Sequence, residues 1–284
     1  MTAIAWLNGT WQPPADARVS VLDRGFMFGD GVYEVIPVYG ARPFALVRHL
    51  TRLSNSLGEL KLANPMNDDA WSGIISEAIE RSGEPVASAY LQVTRGVAAR
   101  RDLVFPVDVK PTVLVMVYAV SSLSRTNLVP LRMITLDDYR WQRGHLKTIS
   151  LVASGMLRNE ALMRGADDAI LLKDGLVTEA TASNVFVAKA GVLVTPPKSN
   201  RMLHGITRDI VIELAKQQGL PIEEREITAA ELADADEVMI TSSGHEVYPV
   251  GMVDGRVVGN GQGGLMWQQL DRLFQACKAS GLEG

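Results

Sequence analysis

The stretch "RWQRGHLKTISLVASGML" (Arg140 to Leu157) places Lys147 at the mouth of a mostly uncharged run. Most lysines are solvated, so this one is either an ordinary surface charge or an amine held inside as a nucleophile and base. Its company bears on the choice. In "LVTEATASNVFV", Glu179 interrupts a hairpin of small, hydroxylated or apolar residues; an acid there either faces a ligand or sits in a solvated turn. In "HGIT", Gly205, Ile206 and Thr207 open a helix. Free backbone N–H groups and the helix dipole suit such a start to an anion, although many helices begin this way and bind nothing. "TSSGHE" (Thr241–Glu246) adds hydroxyls and a glycine beyond a strand.

An inward amine, an acid and a phosphate-ready helix start are together what pyridoxal phosphate requires. The amine forms a Schiff base, the acid keeps the pyridine nitrogen protonated, and the helix tip cradles the phosphate. Whether these groups meet depends on the elements that carry them. "GVYEVIPVYGARPFAL" alternates around a Gly40 turn, as a hairpin does. Leu46, Leu50, Leu53, Leu57 and Leu60 recur at helical spacing, and a second helix runs from Asn67 to its stop at Gly83. "SAYLQVTRG" and "TVLVMVYAV" read as strands. The polar "AVSSLSRTNL" (119–128) is the candidate linker. Beyond it come a strand near Leu131–Leu136, a helix near Leu151–Arg164 closed by Gly165, and hairpins turning at Lys173–Gly175 and Lys189–Gly191. "HGITRDIVIELAKQQG" is a helix, "EVMITSS" a strand and "GGLMWQQLDRLFQAC" a final helix. The expectation is an α/β (α+β) protein: a small N-terminal domain (1–118), the linker, and a larger C-terminal domain (129–284) carrying the lysine and the phosphate site. The site itself is expected in the cleft between two mixed α/β lobes.

Composition narrows the classes. The chain has 284 residues, 47% hydrophobic and 21% charged, with 28 basic and 32 acidic residues for a net charge of -4; a nucleic-acid binder's basic surface is therefore not expected. No apolar run approaches the ~20 residues of a membrane span, and the start lacks a signal-peptide pattern. A single cysteine, Cys277, excludes an internal disulfide, and the histidine positions offer no metal-ligand spacing. A cytoplasmic protein without a metal is expected.

Several long segments, in order, carry a resemblance: "SVLDRGFMFGDGVYEVIPVYG", "HLTRL", "YLQVTRGVAAR", "LKTISL", "DDAILLKDGLVTEATASNVFV", "LVTPPKSNRMLHGITRD" and "DEVMITSSGHEVYPV". The chain resembles the class IV (fold type IV) pyridoxal-phosphate aminotransferases, most closely the bacterial D-amino-acid aminotransferases. The resemblance implies pyridoxal 5′-phosphate as cofactor and Lys147 as the catalytic lysine bonded to it. Glu179 matches the acid at the pyridine nitrogen, and Arg52 the arginine on the phosphate. Ile206, Thr207 and Ser243 match further phosphate contacts, Leu203 the apolar residue on the ring, and Tyr33 a tyrosine of the substrate pocket. It also implies a homodimer acting on a small amino acid of the D-alanine type and a 2-oxo acid such as 2-oxoglutarate or pyruvate.

One segment departs from the pattern. After "VTRG" the family brings an arginine and a histidine, two residues apart, to the substrate carboxylate; here the chain reads "VAARRDLVFP". Arg100 or Arg101 is the candidate clamp, and Asp102, in the histidine's place, repels a carboxylate unless an arginine pairs with it. His145 and His245 either line the site or pack ordinarily, whereas His49, His204, Trp141 and Trp267 read as structural. Other readings are a branched-chain L-amino-acid or (R)-amine transaminase, an aminodeoxychorismate lyase, and a silent cofactor-binding homologue.

Overall fold

In the computed structural model the described residues are 4–281, apart from Ser122, Ser124 and Thr126. They form two compact units, Met1–Ser122 with Leu146–Ser150 and Gly281–Gly284, and Leu123–His145 with Leu151–Ser280. Three positions of the expected linker thus lie outside the described residues. Lys147 belongs to the first unit, not to the C-terminal portion where the sequence reading put it, because its segment pairs with a first-unit strand.

The first unit comprises β1 (Ile4–Leu7), β2 (Thr10–Gln12), α1 (Arg24–Phe28), β3 (Gly31–Tyr39), β4 (Arg42–Pro43), α2 (Leu46–Glu59), α3 (Asp68–Ser82), β5 (Val86–Thr94) and β6 (Thr112–Ala119). Its strands make a six-stranded antiparallel sheet in the order β2-β1-β6-β5-β3-β4. Gly40 and Ala41 both have positive φ (58° and 59°) at the β3–β4 turn, the handedness that matches strand twist in tight hairpins. Leu50, Leu53 and Leu57 of α2 are buried against Val32, Ile36 and Val38 of β3. Each such leucine contributes about 1.5–3 kcal/mol. Asn67 caps α3 by accepting from the Ala70 N–H, and Gly83 ends it in the left-handed region.

The second unit comprises β7 (Leu131–Asp137), α4 (Val152–Met163), β8 (Asp168–Lys173), β9 (Leu176–Ala180), β10 (Asn184–Lys189), β11 (Val192–Thr195), α5 (Ile206–Gln217), β12 (Ile222–Glu224), α6 (Ala229–Ala233), β13 (Glu237–Ser242), β14 (Glu246–Val253), β15 (Arg256–Val257) and α7 (Leu265–Ser280). A nine-stranded mixed sheet runs β12-β11-β10-β13-β14-β7-β8-β9, with β15 on β14. The turns foreseen at Lys173–Gly175 and Lys189–Gly191 are present, with positive φ at Asp174, Gly175, Ala190 and Gly191. Among the described residues no helix is long and apolar enough to cross a membrane, and no group of three His, Cys, Asp or Glu could hold a metal.

Candidate active site

Strand β4 covers only the far end of β3, at Val38 and Tyr39. The open edge of its other half is taken by the lysine segment. The Tyr33 N–H donates to the Lys147 carbonyl at 3.0 Å, the Ile149 N–H donates to Gly31 at 3.1 Å, and Thr148 bridges Val32. Gly31 must be glycine, since a Cβ there would stand 2.6 Å from the Val93 carbonyl oxygen. With its backbone so fixed, half-buried Lys147 holds its ammonium 4.1 Å from the centre of the Tyr33 ring, a cation–π contact. The Tyr33 ring is 5.8 Å from that of Tyr90. Tyr90 donates its hydroxyl to Gln92 at 2.7 Å, and burial pushes that phenol up to about 12.

On β3 the inward positions are Val32, Glu34, Ile36 and Val38, all at 0% exposure. The period of two therefore drives a glutamate into an apolar core, where it needs partners. Arg52 supplies them through Nε and Nη2, each 2.8 Å from one Glu34 oxygen. His49, one helical turn earlier on α2, places Nδ1 2.8 Å from Glu34 Oε2. Burial opposes the Glu34 charge, but the Arg52 guanidinium and the His49 contact outweigh it and hold the carboxyl well below the usual carboxylate range. Burial also lowers His49, so a neutral imidazole donates through Nδ1–H. Glu34 escaped the sequence reading; an acid at an inward strand position opposite a His/Arg pair three apart on a helix was the available signal.

In the second unit, Glu179 lies on β9 and is 4% exposed. Its Oε1 accepts from Arg140 Nη1 at 2.8 Å, and its Oε2 accepts from the Leu203 N–H at 3.1 Å and Asn184 Nδ2 at 3.3 Å. Burial pushes the carboxyl up to about 7 against the pull of Arg140. Asn184 also donates to the Leu203 carbonyl at 2.8 Å, and its Oδ1 would be 2.0 Å from a Cβ at Gly205. Only glycine lets the start of α5 approach this closely. Gly205 caps α5 without a side-chain bond, leaving the first N–H groups for an anion; Ile206 and Thr207 are buried behind it. Ser243 is half-buried in the β13–β14 turn, after Thr241, whose buried hydroxyl has no hydrogen-bond partner.

Arg100 is exposed and pairs with Asp102 at 3.1 Å, and Arg101 stands 5.1 Å from the Phe28 ring centre. Asp102 is thus arginine-paired, and the Val104 N–H and Arg100 hold its carboxyl below the usual range. The buried Arg24, overlooked in the sequence, bonds Asp30 at 2.7 Å and the Asp102 carbonyl at 2.5 Å. The His145 ring centre is 6.0 Å from that of His204. Trp141 is 48% exposed rather than packed, lying between β7 and the lysine segment outside any helix or strand; Trp267 donates its ring N–H to Val247 at 3.2 Å.

Comparison with known proteins adds the family. The model of amino-transferase class IV matches residues 31–253. D-alanine aminotransferase of Bacillus licheniformis is 36% identical over 268 residues, 94% of each chain. That of Listeria innocua is 36% identical over 91% of this chain and 90% of its own. Among solved structures, the T.th. branched-chain amino acid aminotransferase with pyridoxamine 5′-phosphate superposes with a TM-score of 0.91 at 28% identity, covering 100% of this chain and 96% of that one. A fold IV transaminase, CpuTA1, from Curtobacterium pusillum gives 0.84 at 26% identity, covering 99% and 100%.

Proposed function

Because this chain belongs to the class IV aminotransferases, we propose that it uses pyridoxal 5′-phosphate to move an amino group from a D-amino acid of the D-alanine type to a 2-oxo acid such as pyruvate or 2-oxoglutarate. The observation carrying the substrate is the similarity to D-alanine aminotransferases over nearly the whole chain, at 36% identity. The branched-chain enzymes superpose well at 28% identity and supply the second reading.

The residues present fit the cofactor: an amine held on an aromatic face, a buried acid, and an uncapped helix start in a cradle that a Cβ would fill. When bound, it supplies a covalent carbonyl anchor and an electron-accepting ring. Lys147 is the group that bonds it and then moves the α-proton. Glu179 holds a proton at the ring nitrogen. Arg52, the start of α5 at Ile206 and Thr207, and Ser243 bind the phosphate, while Leu203 packs on the ring. Tyr33 orients the Lys147 amine, and Arg100 or Arg101 clamps the substrate carboxylate. A cytoplasmic homodimer completes the proposal, and gel filtration at twice the chain mass checks the assembly.

Purified holoprotein is expected to be yellow, with a visible band bleached by D-alanine and far less by L-alanine. Bleaching by L-leucine or L-glutamate alone would select the branched-chain reading, and bleaching by (R)-1-phenylethylamine alone the amine reading.

A further inference from the structure

Glu179 does not have Arg140 to itself. Arg140 turns Nε to Asp138 Oδ1 at 3.0 Å and Nη2 to Asp138 Oδ2 at 2.8 Å, which leaves Nη1 for Glu179. Asp138 is 6% exposed and is itself pinned. Its Oδ2 accepts the Thr178 hydroxyl at 2.8 Å, and its N–H donates to the Leu172 carbonyl at 2.7 Å. A guanidinium gripped side-on by one carboxylate cannot pivot to grip a second in the same way. Two buried carboxylates and one half-buried guanidinium therefore share a single positive charge when both acids are ionised. A further cation, Lys173 on β8, is half-exposed and bonds the Asp138 main-chain oxygen at 3.3 Å rather than either carboxylate. Leu203 and Asn184 meet Glu179 with neutral donors.

A buried arginine–carboxylate pair would be neutral and self-sufficient. The second acid makes the group one cation short, which is costly in an interior unless a ligand supplies the charge. We propose that Asp138 is a positioning residue for Glu179, occupying two donors of Arg140 so that the triad keeps one net negative charge for a cationic heteroaromatic ring nitrogen. This rests on the reading above that Glu179 faces the ring of the cofactor. Asp138 touches no ligand; it acts through Arg140.

The test compares equilibrium binding of pyridoxal 5′-phosphate with that of its 1-deaza analogue, which has carbon in place of the ring nitrogen, to the full-length cofactor-stripped chain. Wild type should prefer the nitrogen-containing ring, and Asp138→Asn, which keeps the shape and removes the charge, should lose about tenfold of that preference, the equivalent of one pKa unit. Equal weakening of both ligands in Asp138→Asn, or an unchanged preference, overturns the role of Asp138 while leaving Glu179 at the ring. No preference in wild type removes the ring-facing reading of Glu179, and the proposal with it. Should Asp138→Asn not fold, Asp138→Ser carries the same ratio and the same criteria.

Discussion

Glu34 and Glu179 are both buried strand glutamates, and both are held by an arginine, but their donors differ in kind. Glu34 takes two N–H groups from Arg52 and faces His49 as well. Glu179 takes one from an arginine that gives two to Asp138. Burial opposes ionisation at both sites, yet the partners overcome it at Glu34 and fall short at Glu179, whose carboxyl rises to about 7. Each carboxylate has three donors, so what separates the two sites is how many of them come from an arginine, two at Glu34 and one at Glu179, not depth.

The largest effect expected from a substitution leaves both carboxylates in place. Lys147→Ala should lower turnover by at least about a thousandfold with little change in the urea midpoint; ordinary turnover would remove the mechanism. Glu34→Gln comes next. It leaves half-buried Arg52 opposite a neutral amide; breaking a fully buried pair costs about 3–5 kcal/mol, and a loss approaching that is read as a fall in the urea midpoint at constant slope. A loss under about 1 kcal/mol would erase the contrast with Glu179. In turn, Glu179→Gln should slow the single-turnover half-reaction roughly a hundredfold without such a loss of stability.

The smallest effect is the most discriminating, because the two clusters have opposite linkage signs. The folded-state values of His49 and Glu34 are lowered from 6.5 and 4.5. Their contributions are present above those values and lost as pH falls. Glu179 is raised from 4.5 to about 7, so its contribution is full below 4.5 and lost as pH rises through about 7. In the cofactor-free chain, Glu179→Gln should thus equal wild type in stability near pH 4.5 and exceed it by about 1–3 kcal/mol at about pH 8. Denaturant midpoints across that range decide the sign, and a less stable variant at the alkaline end would mean Arg140 dominates burial.

Local pattern made much of the architecture readable. The leucine ladder of α2, the Asn67 and Gly83 limits of α3, and the turns at Asp174-Gly175 and Ala190-Gly191 follow from periodicity and from φ values that few residues tolerate. Lys147, Glu179 and Gly205 were also visible, as an amine, an acid and a helix start in unusual company. Arg140 and Glu34 were in plain view too, inside the very segments quoted; Glu34 had only its inward place in the strand alternation to mark it, and nothing local set Arg140 apart.

By itself, then, the sequence determined the elements, the family and which side chains carry charge, since propensity, turn chemistry and extended similarity are properties of consecutive residues. Only the tertiary structure decided who shares those charges: that Lys147 joins the edge of β3, that Glu34 meets Arg52, and that Asp138 and Glu179 divide Arg140. Apart from Asp138 with Arg140, two residues away, these pairings join residues well separated along the chain, and in a low-dielectric interior the energy of each depends on distance and on the number of competitors, neither of which is written in the order of residues.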